Sequence, residues 1–297
     1  MMERPVIETR RLSKSYGSVQ AVRGLNLSVS PNSITAFLGL NGAGKSTTVK
    51  MLLGMISPSS GEGYVLGSRI DDPGESVALR RRVAYVSESK RLYDYMTVEQ
   101  IIRFTRSLYP DWRADVERDL LHLYELPLNR KIKKLSKGMR TKLALLLAFA
   151  RVPELLILDE PSEGLDPIGI EQLLQSLVTR CSEGTSIFFS SHQISEVERI
   201  ADHVCMLHKG RLLIHASMDD LRQSYRQIDL VFPSLPDERE FRLAGVESIH
   251  TQGHQMRVFA SRNVDRVTER ARSFYPSSIE ISPVGLRDIF LQTLKGN

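Results

Sequence analysis

The chain has 297 residues, 41% of them hydrophobic and 25% charged, with a net charge of +5. That is the composition of a globular protein long enough for one large domain or two ordinary ones. Its longest apolar run, Leu143 to Ala150, falls far short of the roughly eighteen residues a membrane span needs, and Met1-Met2-Glu3-Arg4-Pro5 lacks the apolar stretch of a secretory signal. The modest positive charge permits an acidic partner, nucleic acid or anionic lipid, but demands none. Cys181 and Cys205 sit in apolar-periodic stretches without metal-ligand spacing, so both are expected as buried thiols of a reducing compartment.

In chain order, Val6 to Leu12 and Leu25 to Val29 read as strands, the second alternating with period two. Tyr16, between them, is either a platform for an aromatic base or an edge-strand aromatic. Ile34 to Leu38 is a buried strand that runs into Gly39-Leu40-Asn41-Gly42-Ala43-Gly44-Lys45-Ser46-Thr47. Val49, Leu52, Leu53 and Ile56 then give helical periodicity. Strand, glycine loop and helix in that order form the context that the pattern G-x-x-x-x-G-K-[ST] requires. Glycines let backbone N–H groups turn toward a phosphate chain, and the helix N-terminus adds free donors and positive potential. Lys45 is assigned to the β- and γ-phosphates, Ser46 to Mg²⁺ and Thr47 to a phosphate oxygen. The stretch is therefore expected to be a nucleoside-triphosphate site.

Tyr64 to Gly67 reads as strand and turn, and Val83 to Val86 as a short strand with Arg80-Arg81-Arg82 on its solvated edge. Residues 94 to 134 change character. Thr97 and Gln100 fit a capping box before Ile101 and Ile102, and Asp115 to Leu126 is helical, so a mostly helical insertion interrupts the α/β core. Ser136 stands at the N-cap of a helix whose apolar stripe is Met139, Leu143, Leu146, Leu147 and Ala150. It could serve as an ordinary cap or hold a second phosphate. Leu155 to Leu158 is apolar on both faces, as in the middle of a parallel sheet, and ends in Asp159-Glu160. Carboxylates at that end of such a strand face its ligand side. Asp159 is expected to hold Mg²⁺, and Glu160 to orient or deprotonate the attacking water. Ser186 to Ser190 is another buried strand, followed by His192, either a γ-phosphate contact or a structural histidine. Lys209-Gly210 marks a hairpin. From about residue 222 three strands and two helices suggest a small α+β domain without a catalytic constellation.

Taken together, these segments resemble the ATP-binding subunit of an ABC transporter over roughly residues 5 to 220. Gly39 to Thr47 matches the Walker A motif, Leu135 to Met139 the signature, and Leu155 to Glu160 Walker B. Gly164-Leu165-Asp166 looks like the D-loop, His192 like the switch histidine and Tyr16 like the adenine-stacking aromatic. One ATPase domain with a short C-terminal extension is similar to bacterial ABC-2-type exporters. The resemblance implies a P-loop NTPase core (1–221) with a helical subdomain at about 89–150 and a C-terminal domain (222–297). It further implies ATP and Mg²⁺ as ligands and a head-to-tail homodimer in which Ser136, Gly138 and Asp166 complete the partner's nucleotide site. A separate transmembrane permease would hold the protein at the cytoplasmic face of the cell membrane, with no nucleic acid involved. Two departures stand out. Glu88 occupies the loop position where the family usually has glutamine, still able to reach Mg²⁺ but adding charge. Lys137 replaces a signature glycine. The rival reading is a soluble ABC-type ATPase acting on ribosomes or DNA, with Lys131 to Lys134 as its support; another is an ATP-binding regulatory subunit.

Overall fold

The computed structural model describes residues 4–295. The chain divides after His215 into two compact units, rather than between 221 and 222. The first opens with the long strands β1 (Ile7–Tyr16) and β2 (Val19–Val29), then β3 (Ile34–Leu38) and helix α1 (Lys45–Leu52). Strands β4 (Ser60–Val65) and β5 (Ser68–Arg69) lead to α2 (Ser76–Arg82) and β6 (Val83–Val86). Three helices follow, α3 (Val98–Arg106), α4 (Ala114–Leu123) and α5 (Lys137–Phe149). The chain then returns to alternating elements: β7 (Leu155–Asp159), α6 (Pro167–Ser182), β8 (Ser186–Ser191), α7 (Ile194–Ile200), β9 (His203–His208) and β10 (Arg211–Ser217).

Two sheets result. One is antiparallel, in the order β2-β1-β4-β5; the other has the order β10-β9-β3-β8-β7-β6, with β9, β3, β8, β7 and β6 mutually parallel. Strands β3, β7 and β8 are buried at every residue, as their unbroken apolar runs require in a sheet covered on both faces. Phe37 and Phe188 pack across adjacent strands with ring centroids 5.3 Å apart, and burying each such ring contributes roughly 1.5–3 kcal/mol. Asn–Gly-type chemistry is met at Lys209-Gly210, where both residues have positive φ and the tight β9–β10 connection forms.

The helical insertion is built from local signals. Thr97 and Gln100 form the full capping box at the start of α3, worth on the order of 1 kcal/mol. Glu117 on α4 pairs with Arg106 of α3 and accepts a hydrogen bond from Trp112 Nε1 at 2.6 Å, tying the two helices. Two expectations need correction. Arg80, Arg81 and Arg82 are the last turn of α2 rather than a strand edge, where their charge suits the helix C-terminus, and Arg82 pairs with Glu154. Cys205 is buried, but Cys181 near the end of α6 is only half-buried.

The second unit contains α8 (Met218–Ser224), β11 (Arg226–Val231), β12 (Val246–Gln252), β13 (Gln255–Ala260), α9 (Val264–Arg272), β14 (Ser278–Pro283) and α10 (Leu286–Lys295). Its sheet is antiparallel in the order β12-β13-β11-β14. Ile228, Leu230, Met256 and Val258 form a core with Val267 and Ala271 of α9. This is the α+β arrangement expected, with one more strand, β12, than the sequence suggested.

Candidate active site

Sheet order explains why three distant motifs meet. Strand β8 lies between β3 and β7, in register so that Leu38 pairs with Ser191 and Asp159 with Ser190. The glycine loop after β3, His192 after β8 and Asp159-Glu160 at the end of β7 therefore emerge side by side at one edge. There Asn41, Gly42, Ala43, Gly44, Lys45, Ser46 and Thr47 of the loop line a cleft of about 390 Å³ with Glu88, Glu160, Glu163 and His192.

The loop's shape depends on two absent Cβ atoms. A Cβ on Gly39 would lie 2.6 Å from the Leu207 carbonyl oxygen, and one on Gly44 2.4 Å from that of Ala21. Gly44 also has φ +109°, and it caps α1 without a side chain, leaving the first N–H groups of the helix open to an anion.

Lys45 is 6% exposed and donates to Gly39 O at 2.7 Å. Its ammonium also lies 3.1 Å from Glu160 Oε1, an ion pair without hydrogen-bond alignment. The other oxygen, Glu160 Oε2, sits 2.8 Å from His192 Nδ1. One buried carboxylate thus bridges the loop lysine and the histidine. Buried charges of this kind persist only when paired.

Ser190 orders the acidic pair from beneath. Its hydroxyl donates to Asp159 Oδ1 at 2.6 Å and accepts from Glu160 N at 3.1 Å. Asp159, Ser46 and Glu88 line a second cavity of about 470 Å³ together with Lys90, Lys137 and Glu163. A hydroxyl and carboxylates are the hard oxygen donors that suit Mg²⁺, which keeps several waters and needs few protein ligands. The glycine cradle, the buried lysine and this donor set fit a magnesium-bound nucleoside triphosphate.

Tyr16, Ser136, Gly138 and Asp166 line neither cavity. Tyr16 ends β1 half-exposed, with the Lys14 ammonium 5.2 Å from its ring centre. Ser136 caps α5, accepting from Met139 N at 3.2 Å. Gly138 approaches the loop after β7 so closely that a Cβ would stand 2.8 Å from Gly164 O. Asp166 caps α6, accepting from Gly169 N at 2.6 Å. Lys137 stays exposed at the surface, where it lies across Gly164 and pairs with Glu163 at 2.6 Å, which holds the Glu163 carboxyl below its ordinary range.

Several contributors carry no motif. Ser190 and Glu163 escaped the sequence reading, as did Lys90, a buried lysine whose ammonium donates to Glu160 O at 2.9 Å and whose pKa burial pushes down. Glu196 on α7 is also buried, accepting from Ser162 Oγ at 2.9 Å through one oxygen while the other has no partner. Burial raises its pKa, with Glu160 adding to the rise and Ser162 and His192 opposing it. A carboxyl raised in the folded state favours folding when protonated and disfavours it as pH climbs from the unfolded value through the folded one. The stability of Glu196→Gln relative to the native chain should therefore increase over the pH range above the ordinary glutamate value. Urea titrations across that range check this, and a relative stability that declines would contradict it.

A strand–glycine loop–helix with an acidic pair on a nearby parallel strand defines a P-loop nucleotide-binding ATPase. Residues 22–163 match the family model described as ABC transporter. The chain is 36% identical over 225 residues to the bacitracin transport ATP-binding protein BcrA of Bacillus licheniformis, covering 75% of this chain and 73% of that protein. It is 28% identical to the ABC transporter ATP-binding protein YtrB of Bacillus subtilis over 98% of this chain and 99% of the relative. A solved ATP-binding subunit of an ABC transporter superposes with a TM-score of 0.67 at 34% identity, over 73% of this chain and 92% of that one. The chain belongs to the ATP-binding proteins of ABC transporters. Its α/β P-loop core and its standing as an ATPase follow from that membership, as the sequence led one to expect.

Proposed function

We propose that the chain hydrolyses MgATP to power export through a separate transmembrane permease, working as a head-to-tail homodimer at the cytoplasmic face of the cell membrane. The observation that carries this reading is the Glu160 carboxylate bridging Lys45 and His192 beside the glycine loop. In the proposal Glu160 takes the proton of the attacking water, His192 holds the γ-phosphate, and Lys45 leaves Glu160 for the β- and γ-phosphates. Bound by Ser46, Asp159 and Glu88, Mg²⁺ would neutralise charge on the phosphates. Glu160 is exposed by only 7%, so water reaches it chiefly along the cleft. Tyr16 would stack on adenine.

Within one chain Ser136, Gly138 and Asp166 stand away from the cleft lining, which supports assigning them to a partner's nucleotide. A symmetric pair then closes two sites from one sequence. Ser136→Arg should accordingly leave MgATP binding to the single chain within about threefold while lowering ATPase activity at least tenfold, an effect on assembly rather than on the primary site. Equilibrium binding and steady-state hydrolysis on the same preparation distinguish the two.

In this reading the path for cargo lies on another polypeptide; among the described residues no helix is long and apolar enough to cross a membrane. BcrA is named for bacitracin transport; the cargo here would be set by the permease. The test is purification of the tagged chain from gently solubilised membranes. A stoichiometric polytopic membrane protein is the expected partner. Ribosomes or nucleic acid in its place would overturn the transport reading and favour the soluble alternative.

A further inference from the structure

We propose that Lys90 is a positioning residue for Glu160, holding that residue's backbone in the conformation from which its carboxylate spans Lys45 and His192. The inference rests on the reading of Glu160 as the catalytic base and adds a residue that acts through it.

Glu160 has φ +48°. A non-glycine residue in the left-handed region carries roughly 1–2 kcal/mol of steric penalty and stays there only where its surroundings hold it. Two sets of bonds do so. On the amide side, Ser190 receives the N–H through its carbonyl at 3.2 Å and its hydroxyl at 3.1 Å. On the carbonyl side, Glu160 O accepts from Glu163 N at 3.3 Å and from Lys90 Nζ at 2.9 Å. The lysine makes the shorter of the two carbonyl bonds. Without it, the peptide after Glu160 keeps only the longer bond and is free to rotate. That freedom lets φ relax out of the left-handed region, which turns Cβ and carries the carboxylate away from atoms it now meets at 3.1 and 2.8 Å.

Lys90 is built for this contact. It is 4% exposed, and lysine is almost never so buried unless its ammonium has a partner. Its own backbone is left-handed, φ +42°, closing a turn in which Lys90 N donates to Ser87 O at 3.1 Å. That turn contains Glu88. One side-chain hydrogen bond therefore joins the loop bearing Glu88 to the base at the end of β7. The nearby carboxylates of Glu88, Asp159 and Glu163 line the same cavity as Lys90, but the ammonium's hydrogen bond goes to the carbonyl.

The experiment compares Lys90→Met, Lys90→Arg and Glu160→Gln with the combined Lys90→Met/Glu160→Gln chain, measuring MgATP hydrolysis and equilibrium nucleotide binding. Lys90→Met keeps the length and burial of the side chain but removes the donor. It is expected to lower kcat by about 10–100-fold, the size of effect that a displacement near 1 Å produces, with nucleotide affinity within about twofold of native. Lys90→Arg, which retains a charged donor, should stay within about threefold of native turnover. Because Lys90 acts through Glu160, adding Lys90→Met to Glu160→Gln should change the residual rate less than about twofold. Should Lys90→Met fail to fold, Lys90→Gln takes its place, being polar but too short to reach the carbonyl. Native turnover in Lys90→Met, or a full additional loss in the Glu160→Gln background, overturns the positioning role. An active Glu160→Gln chain instead overturns the base assignment, and the inference falls with it.

Discussion

Glu160→Gln is expected to lower MgATP turnover by roughly 10²–10⁴-fold, the range for removal of a positioned general base, while nucleotide affinity stays within about threefold of native. The substitution preserves shape. An amide at this position still fits between Lys45 and His192, the two groups that the carboxylate meets at 3.1 and 2.8 Å. What it loses is basicity and one buried negative charge. Loss of that charge does not strand Lys45, because Gly39 O accepts its ammonium at 2.7 Å and a bound triphosphate supplies new anions. Affinity and chemistry should therefore separate cleanly. Single-turnover hydrolysis alongside direct nucleotide binding makes the measurement. A rate above about a tenth of native would remove Glu160 from the role of base. A parallel collapse of affinity would instead indicate that its charge serves chiefly to order the lysine.

What the sequence disclosed about this site follows from the range of the forces involved. The glycine loop, the apolar run Leu155 to Leu158 and the Thr97–Gln100 capping box are local patterns, each formed within a few neighbouring residues, and each appears as read. Ser190 and Lys90 could not be read this way. Their partners stand 30 and 70 residues away along the chain, and only the order and register of β8 against β7, or the turn after β6, brings them within reach. Nor does either residue belong to a recognisable motif. Strand β12 was missed for a different reason: Val246–Gln252 has no fully buried position, so its sequence lacks the alternation that marks a half-buried strand. Lys137 shows how context decides a departure from pattern. It replaces a signature glycine, and in the fold its ammonium stays exposed while pairing with Glu163 at 2.6 Å.

Gly44→Ala is expected to destabilise the fold by about 2–4 kcal/mol and to weaken nucleotide binding at least tenfold. Two separate penalties coincide there. The backbone has φ +109°, beyond the small left-handed basin open to alanine, and the new Cβ would lie 2.4 Å from Ala21 O. The obstacle is main chain and cannot rotate away. Relief requires the loop or β2 to shift, and both are tied in place. Gly210 N donates to Ala43 O at 2.9 Å and Arg23 N to Gly210 O at 2.8 Å, so the β9–β10 turn fastens the loop to β2. On the other side Thr48 bonds Gly44 O through both its amide and its hydroxyl, at 2.9 and 3.0 Å. Movement would open these bonds and turn the phosphate-facing amides off their axis. Gly42→Ala separates the causes: its φ is +80°, but nothing lies within 4 Å of the added carbon. Conformational strain alone predicts similar losses for the two variants. If contact with Ala21 dominates, as the distance requires, Gly42→Ala should lose only about 1–2 kcal/mol, and urea unfolding of the pair should place Gly44→Ala clearly below it.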